Sequence, residues 1–185
     1  MLTIWKSMVQ PKLDYCSVLW SPAAEASIAR LESVARYFTS QVAGLQELDY
    51  WERLAALRLY SQERRRERYS VIFVWKIAQG LVMGYPITFT VNPRRGRLAD
   101  VHNVPKDVPL EVRRARECSL KVRGTKLFNI IPKSLRDKEG TVDQFKSELD
   151  KWLSNVPDQP TVSDRQRAAQ SNSLLDQVPM LLERF

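Results

Sequence analysis

The stretch Ser61-Gln62-Glu63-Arg64-Arg65-Arg66-Glu67-Arg68-Tyr69-Ser70-Val71-Ile72-Phe73-Val74-Trp75-Lys76-Ile77-Ala78-Gln79-Gly80 sets the fold class of this chain. A serine hydroxyl accepts from the unpaired N–H groups at a helix start, and glycine adopts the left-handed conformation in which helices end. Between Ser61 and Gly80, the residues Tyr69, Ile72, Phe73 and Ile77 recur at helical intervals and lay down one apolar stripe. The opening turns, Gln62 to Arg68, are polar all round. Arg64, Arg65, Arg66 and Arg68 alternate there with Glu63 and Glu67, a spacing that suits both ion pairs along an exposed helix and contact with an anionic partner.

Towards the N-terminus, Asp49 is placed to cap a shorter helix carrying Tyr50, Leu54 and Leu57. Ser21 and Pro22 open a longer one, whose face is Ile28, Leu31, Val34 or Ala35, Phe38 and Val42, stopped by Gly44. Leu2, Trp5, Met8 or Val9, Leu13, Cys16 and Leu19 or Trp20 form a further stripe running through Pro11, which predicts a kink or break near Gln10. Residues 1–80 therefore read as a small helical bundle. Cys16 falls on the stripe as a small core residue, and Trp5, Trp20, Trp51, Trp75 and Trp152 read as core anchors.

Towards the C-terminus, residues 81–117 form a basic loop or hairpin: Pro86, Pro93, Gly96, Pro105 and Pro109 break helices, and Tyr85 to Val91 alternates as a short strand does. Residues 118–154 form a C-terminal α segment. Within it, Cys118 to Val122 reads as a strand, and Arg123 to Asn129 as a short helix ended by Pro132. Thr141 and Gln144 have capping-box spacing before a helix faced by Val142, Phe145, Leu149 and Trp152 or Leu153. Residues 155–185, rich in Pro, Ser, Gln, Asn and Asp, read as a disordered tail with at most one weak helical turn. The expected fold is mainly α.

Of 185 residues, 29 are Lys or Arg and 21 are Asp or Glu, a net charge of +8. Residues 61–126 hold fifteen basic and six acidic side chains, while each other segment is balanced to within one charge. Such a clustered excess favours anionic partners. The longest apolar run, Val71 to Trp75, is far short of the ~20 residues that span a bilayer. Lys6, Lys12 and Asp14 interrupt any leader-like stretch, so an intracellular protein, nuclear or cytoplasmic and without membrane partners, is expected. Cys16, Cys118 and His102 are too few for a disulfide framework or a four-ligand zinc site.

Metal-dependent polymerases and nucleases need carboxylates held together, and neither Asp-Asp nor Asp-x-Asp occurs here. Asp137 with Glu139, and Glu148 with Asp150, lie among Lys138, Lys146 and Lys151 as solvated surface charges. No nucleophile and base are brought together by the sequence, and no cofactor is expected. The basic residues are the better candidates. Arg94, Arg95 and Arg97 flank Gly96 with no carboxylate before Asp100, and Arg113, Arg114, Arg116, Lys121, Arg123 and Lys126 continue the same character. All of these but Lys126, together with Arg64, Arg65 and Arg68, make up eleven candidate contacts to nucleic-acid phosphates.

Trp5-Lys6-Ser7-Met8-Val9-Gln10-Pro11-Lys12-Leu13-Asp14-Tyr15-Cys16, followed by Val18-Leu19-Trp20-Ser21-Pro22, resembles the segment just after the palm in reverse transcriptases of non-LTR retrotransposons of the Jockey and chicken-repeat lineages. Leu31-Glu32-Ser33-Val34, Gly44-Leu45, Tyr50-Trp51-Glu52-Arg53-Leu54, Leu57 with Glu63-Arg64-Arg65, Val74-Trp75-Lys76-Ile77 and Gly80-Leu81-Val82 come next, in the order of that family. Arg123 with Leu127-Phe128-Asn129-Ile130-Ile131-Pro132 resembles its distal motif, with Phe128 and Ile131 where Trp and Leu are usual, and Phe145-Lys146 with Leu149-Asp150 resembles its closing helix. The resemblance covers residues 2–153. It implies a C-terminal fragment, a helical thumb and post-thumb region. Fingers, the Asp-Asp palm with its Mg²⁺ and the endonuclease would lie upstream, so the chain alone would not be an enzyme. The implied partners are RNA, DNA or their hybrid, and the palm itself. Rival expectations are a helical protein-interaction module, self-associating through exposed apolar surface, and a genomic remnant without function.

Overall fold

The computed structural model describes residues 1–22, 24–160 and 172–182, and it is mainly α-helical with a single two-stranded hairpin among those residues. The N-terminal stripe winds without interruption through α1 (Leu2–Ile4), a π-helical stretch (Trp5–Val9) and α2 (Gln10–Asp14). Near Gln10, where a kink or break was expected, the winding changes from π to α, and the Gln10 N–H donates to the Trp5 carbonyl. The wider π turn relieves the crowding that a proline imposes on the preceding turn, and Pro11 lies at the start of α2, where an N–H needs no helical partner. The chain breaks later, at Cys16, whose φ of 51° is left-handed, before α3 (Ser17–Trp20). That turn takes Cys16 off the stripe and leaves it exposed, not in the core as expected.

Ser21 is extended and closes α3, so α4 (Glu25–Ser40) starts later than the Ser21-Pro22 signal implied. α5 (Tyr50–Leu57) starts where the sequence indicated: Asp49 Oδ1 accepts from the Glu52 N–H at 2.8 Å, and Glu52 Oε2 accepts from the Asp49 N–H at 2.9 Å. α6 (Gln62–Ala78) is capped by Ser61, whose Oγ accepts from the Arg64 N–H at 3.1 Å.

The basic segment is a hairpin followed by a helix. β1 (Phe89–Asn92) and β2 (Gly96–Ala99) pair antiparallel, with Phe89 opposite Ala99 and Asn92 opposite Gly96. α7 (Leu110–Glu117) was hidden by the prolines around it; Pro109 occupies its N-cap, where a missing N–H costs nothing. Cys118 to Val122 is not a strand, because the chain passes from an extended Ser119 into a π-helical stretch (Leu120–Gly124) and on into α8 (Thr125–Ile130). α9 (Lys133–Arg136) comes after Pro132, and α10 (Val142–Leu153) has the Thr141–Gln144 capping box read from the sequence. α11 (Leu174–Leu182) corrects the tail expectation for residues 172–182: Leu174 is fully buried and its N–H donates to Glu67 Oε2 at 2.7 Å. Residues 155–160 also depart from it, with Val156 buried and Asp158 accepting from Ser61, and the remainder, residues 161–171 and 183–185, lies outside the described residues.

α6 is the spine of the larger core. Val71, Val74 and Trp75 pack with Leu127, Phe128, Phe145, Leu149 and Leu153, and with Leu174 of α11. The Trp75 and Phe145 rings stack at 4.4 Å, and the Trp75 indole N–H donates to the Lys138 carbonyl at 3.1 Å. The core therefore runs across residue 80, and the first eighty residues share α6 with the helices of the C-terminal half. A smaller cluster joins Trp5, Ala35, Tyr50 and Leu54, with Trp5 stacked on Phe38 at 4.4 Å. Trp5 and Trp75 are buried as expected, whereas Trp20 is 43% exposed and lies under the Arg66 guanidinium at 3.9 Å. Among the described residues, no helix is long and apolar enough to cross a membrane.

Candidate nucleic-acid interface

The eleven cations singled out by sequence divide into two groups. Four hold the fold together. Arg64 is fully buried, with Nη1 donating to the Val156 carbonyl at 3.2 Å and Nη2 to the Pro157 carbonyl at 2.8 Å. Arg65 Nε donates to Asp14 at 2.8 Å, and Arg68 grips both oxygens of Asp150, at 2.5 and 2.7 Å. Arg123 Nη2 donates to Glu67 at 2.7 Å and lies 3.5 Å from Glu63. The polar turns of α6, whose spacing suited either exposed ion pairs or an anionic partner, are packed between the N-terminal helices, α10 and residues 172–174. Arg64 is closed off from any external phosphate, and the charges of Arg65, Arg68 and Arg123 are matched internally.

Carboxylates gathered at this polar joint have unusual proton affinities. Burial pushes the Glu63 carboxyl up to about 7, with Glu67 adding to the effect and Arg123 opposing it. Burial also raises Glu32, which accepts from the Tyr50 hydroxyl and from the Gln62 N–H at 3.0 Å. Tyr60 is pushed up to about 12 by burial and by Asp150, so its hydroxyl stays protonated and donates to that carboxylate.

The second group faces solvent. At the hairpin turn, Asn92 Oδ1 accepts from the Arg94 and Arg95 N–H groups at 2.9 and 3.1 Å, a local bond that fixes the turn while both side chains remain exposed. Gly96 adjoins the turn with φ +75°, and a Cβ there would lie 2.4 Å from Asp137 Oδ2. That close approach lets Asp137 Oδ1 accept from the Arg97 N–H at 2.6 Å. Lys133 Nζ donates to the Pro93 carbonyl at 3.0 Å, and Arg136 donates to the carbonyls of Arg95 and Asn129. α9 thus braces the turn from below. Arg136, only 7% exposed, was not singled out by sequence, because a lone arginine beside Leu135 has no motif that betrays a long-range backbone contact.

Arg114 and Arg116 are exposed on α7, Lys126 is exposed on α8, and Lys121 is half-buried before it. Arg113 donates to the Lys106 carbonyl, and Arg97, half-buried, reaches the Ala78 carbonyl at 3.4 Å. Among the described residues, Arg94, Arg95, Arg114, Arg116, Lys121 and Lys126 form no ion pair. His102 and Lys126 line an open cleft of about 570 Å³, whereas Cys118 borders a different one beside Glu63 and Glu67. Among the described residues, no group of three or more His, Cys, Asp or Glu side chains is placed to hold a metal ion. Chemically, the arrangement offers guanidinium and ammonium donors on a braced hairpin and a short helix. Comparison of the chain with protein-family models, with curated proteins and with solved structures gives no match.

Proposed function

We propose that this chain binds the phosphate backbone of RNA, DNA or their hybrid without reading sequence, as the thumb and post-thumb part of a non-LTR retrotransposon reverse transcriptase that does no chemistry by itself. The observation that carries the reading is the set of cations between Arg94 and Lys126 that have no internal counter-charge among the described residues. Exposed guanidinium groups bind phosphate through paired donors, and a rigid turn lowers the entropy lost on binding. The polymerase connection rests on the resemblance of residues 2–153 alone.

The test is fluorescence anisotropy with a labelled RNA–DNA hybrid and matched single strands. About six phosphate contacts should weaken binding roughly a thousandfold between about 50 and 200 mM salt. Replacing Arg94, Arg95, Arg114 and Arg116 with alanine should remove most of the affinity while the chain stays folded. A folded parent chain that binds nothing at low salt refutes the reading. A protein-interaction module then becomes the better account, and one observation favours it: Ile4, Met8, Tyr15 and Leu19 are each more than half exposed. Oligomers in size-exclusion chromatography would support that alternative.

A further inference from the structure

A cleft of about 360 Å³ lies where the end of α5 meets the start of α6 and the N-terminal helix, and it is lined by none of the cations between Arg94 and Lys126. Its walls are rich in donors. Lys6 and Arg58 are exposed there, and neither has an ion-pair partner among the described residues. Arg65 uses Nε on Asp14 and Nη2 on the Tyr69 hydroxyl, and Arg68 uses Nε and Nη2 on Asp150. A guanidinium carries five N–H donors, so each of these two keeps an Nη1 group without a hydrogen bond among the described residues. Trp5 also lines the cleft, and its buried indole N–H has no acceptor among the described residues. The carboxylate at this wall, Asp150, is already bonded to Arg68 and to the Tyr60 hydroxyl at 3.2 Å.

The backbone adds a second, independent observation. Arg58 ends α5 with φ 51° and ψ 47°, the left-handed conformation in which glycine is the unstrained residue. Its exposed side chain lines the cleft and has no ion-pair partner among the described residues, so glycine there would lose no charge pairing. The same turn, Arg58 to Tyr60, borders an adjoining cleft of about 530 Å³ with apolar walls that include Trp51, Leu54 and Val156.

We propose that the basic cleft binds the phosphate group of a nucleotide, free or within a strand, with the organic part of the ligand laid against the Trp51 wall of the adjoining cleft. An assembly of cations and unsatisfied donors calls for an acceptor-rich anion, and phosphate presents oxygens to several donors at once. The site uses residues other than the hairpin and α7, so it goes beyond the backbone-binding surface proposed above.

The test is isothermal titration calorimetry of the full chain with AMP and with a short single-stranded oligonucleotide, alongside Arg58→Gly, Lys6→Gln and an Arg94→Ala/Arg95→Ala double variant. Arg58→Gly removes the charge while relaxing the backbone, so it should melt no lower than the parent, and Lys6→Gln changes an exposed side chain. Each should weaken binding about tenfold or more, the value of one charge-assisted hydrogen bond. Loss of AMP affinity identifies a free phosphomonoester as the ligand; loss confined to the oligonucleotide identifies a strand. The double variant should leave the Arg58-dependent component intact even if the backbone-binding surface fails. Unchanged affinity for both probes in Arg58→Gly and Lys6→Gln, or no binding of either probe to the parent, overturns the proposal.

Discussion

Replacing Arg64 separates a structural arginine from a ligand-binding one. Its guanidinium is fully buried and donates to the carbonyls of Val156 and Pro157, and it lies 3.9 Å from Asp158. Asp158 in turn accepts from the Ser61 N–H and hydroxyl at 2.7 Å each and from the Asn172 amide at 2.7 Å. Arg64→Ala or Arg64→Met would leave two carbonyls without donors and Asp158 without its cation. Hydrogen bonds to a charged group contribute about 1.5–3 kcal/mol each, and breaking a buried charge pair from one side costs about 3–5 kcal/mol. The second range already includes the lost bonds, so the expected destabilisation is about 3–5 kcal/mol, a large share of the ~5–15 kcal/mol that holds a domain folded. For a chain of this length, that lowers Tm by roughly 6–20 °C, measured by far-ultraviolet circular dichroism on heating. Arg114→Ala, on an exposed helix face, should melt with the parent. The reasoning is refuted if Arg64→Ala melts with the parent and loses nucleic-acid binding instead.

The polar joint and α11 each carry a further expected outcome. Glu63 has a folded pKa of about 7 against an ordinary 4.5, so its contribution to stability is full below about 4.5 and is lost as pH rises through 7; urea midpoints of the parent should fall across that window, and Glu63→Gln should flatten the profile. Leu174 is fully buried against the core, so Leu174→Ala should destabilise by about 2–5 kcal/mol in urea titration, whereas a mobile tail would show no change.

What the sequence could convey was local. Asp49, Ser61 and Thr141 sit a fixed few residues from the N–H groups they cap, and the stripes of α6 and α10 are periodic within one helix, so spacing alone located them. The roles of the arginines could not be read that way. Arg65 meets a carboxylate 51 residues earlier in the chain, Arg68 one 82 residues later, and Arg64 carbonyls more than 90 residues away. Interleaved Arg and Glu have the same pattern whether the helix is solvated or packed. α11 escaped notice for a related reason: Asn172 and Ser173 look like loop residues, yet both are buried because Asp158 and Glu67 accept from them. Pro11 and Pro109 misled in opposite directions, one absorbed by a π turn and the other marking a helix start.

The pairing across distant segments also redraws the electrostatic surface. By count, residues 61–126 carry a net +9, but Asp14, Asp150 and Asp158 come from segments that are neutral or slightly acidic overall, and all three fold onto the arginines of α6. Their negative charge is thereby moved to the start of α6, and the cations from Arg94 to Lys126, apart from Arg123, are left without an ion-pair partner among the described residues. Ten basic and four acidic residues lie in that stretch. Within residues 61–126, the footprint seen by an approaching polyanion is therefore smaller than the sequence count suggests and lies on the hairpin, α7 and the start of α8. Each phosphate neutralised contributes about 0.9 to the slope of log affinity against log salt on duplex DNA. The six unpaired cations give a slope of about −5, and nine contacts, with Arg65, Arg68 and Arg123 added, would give about −8. A slope near the larger value would mean that the ion pairs of Arg65, Arg68 and Arg123 open on binding, with Asp14, Asp150 and Glu67 released to water.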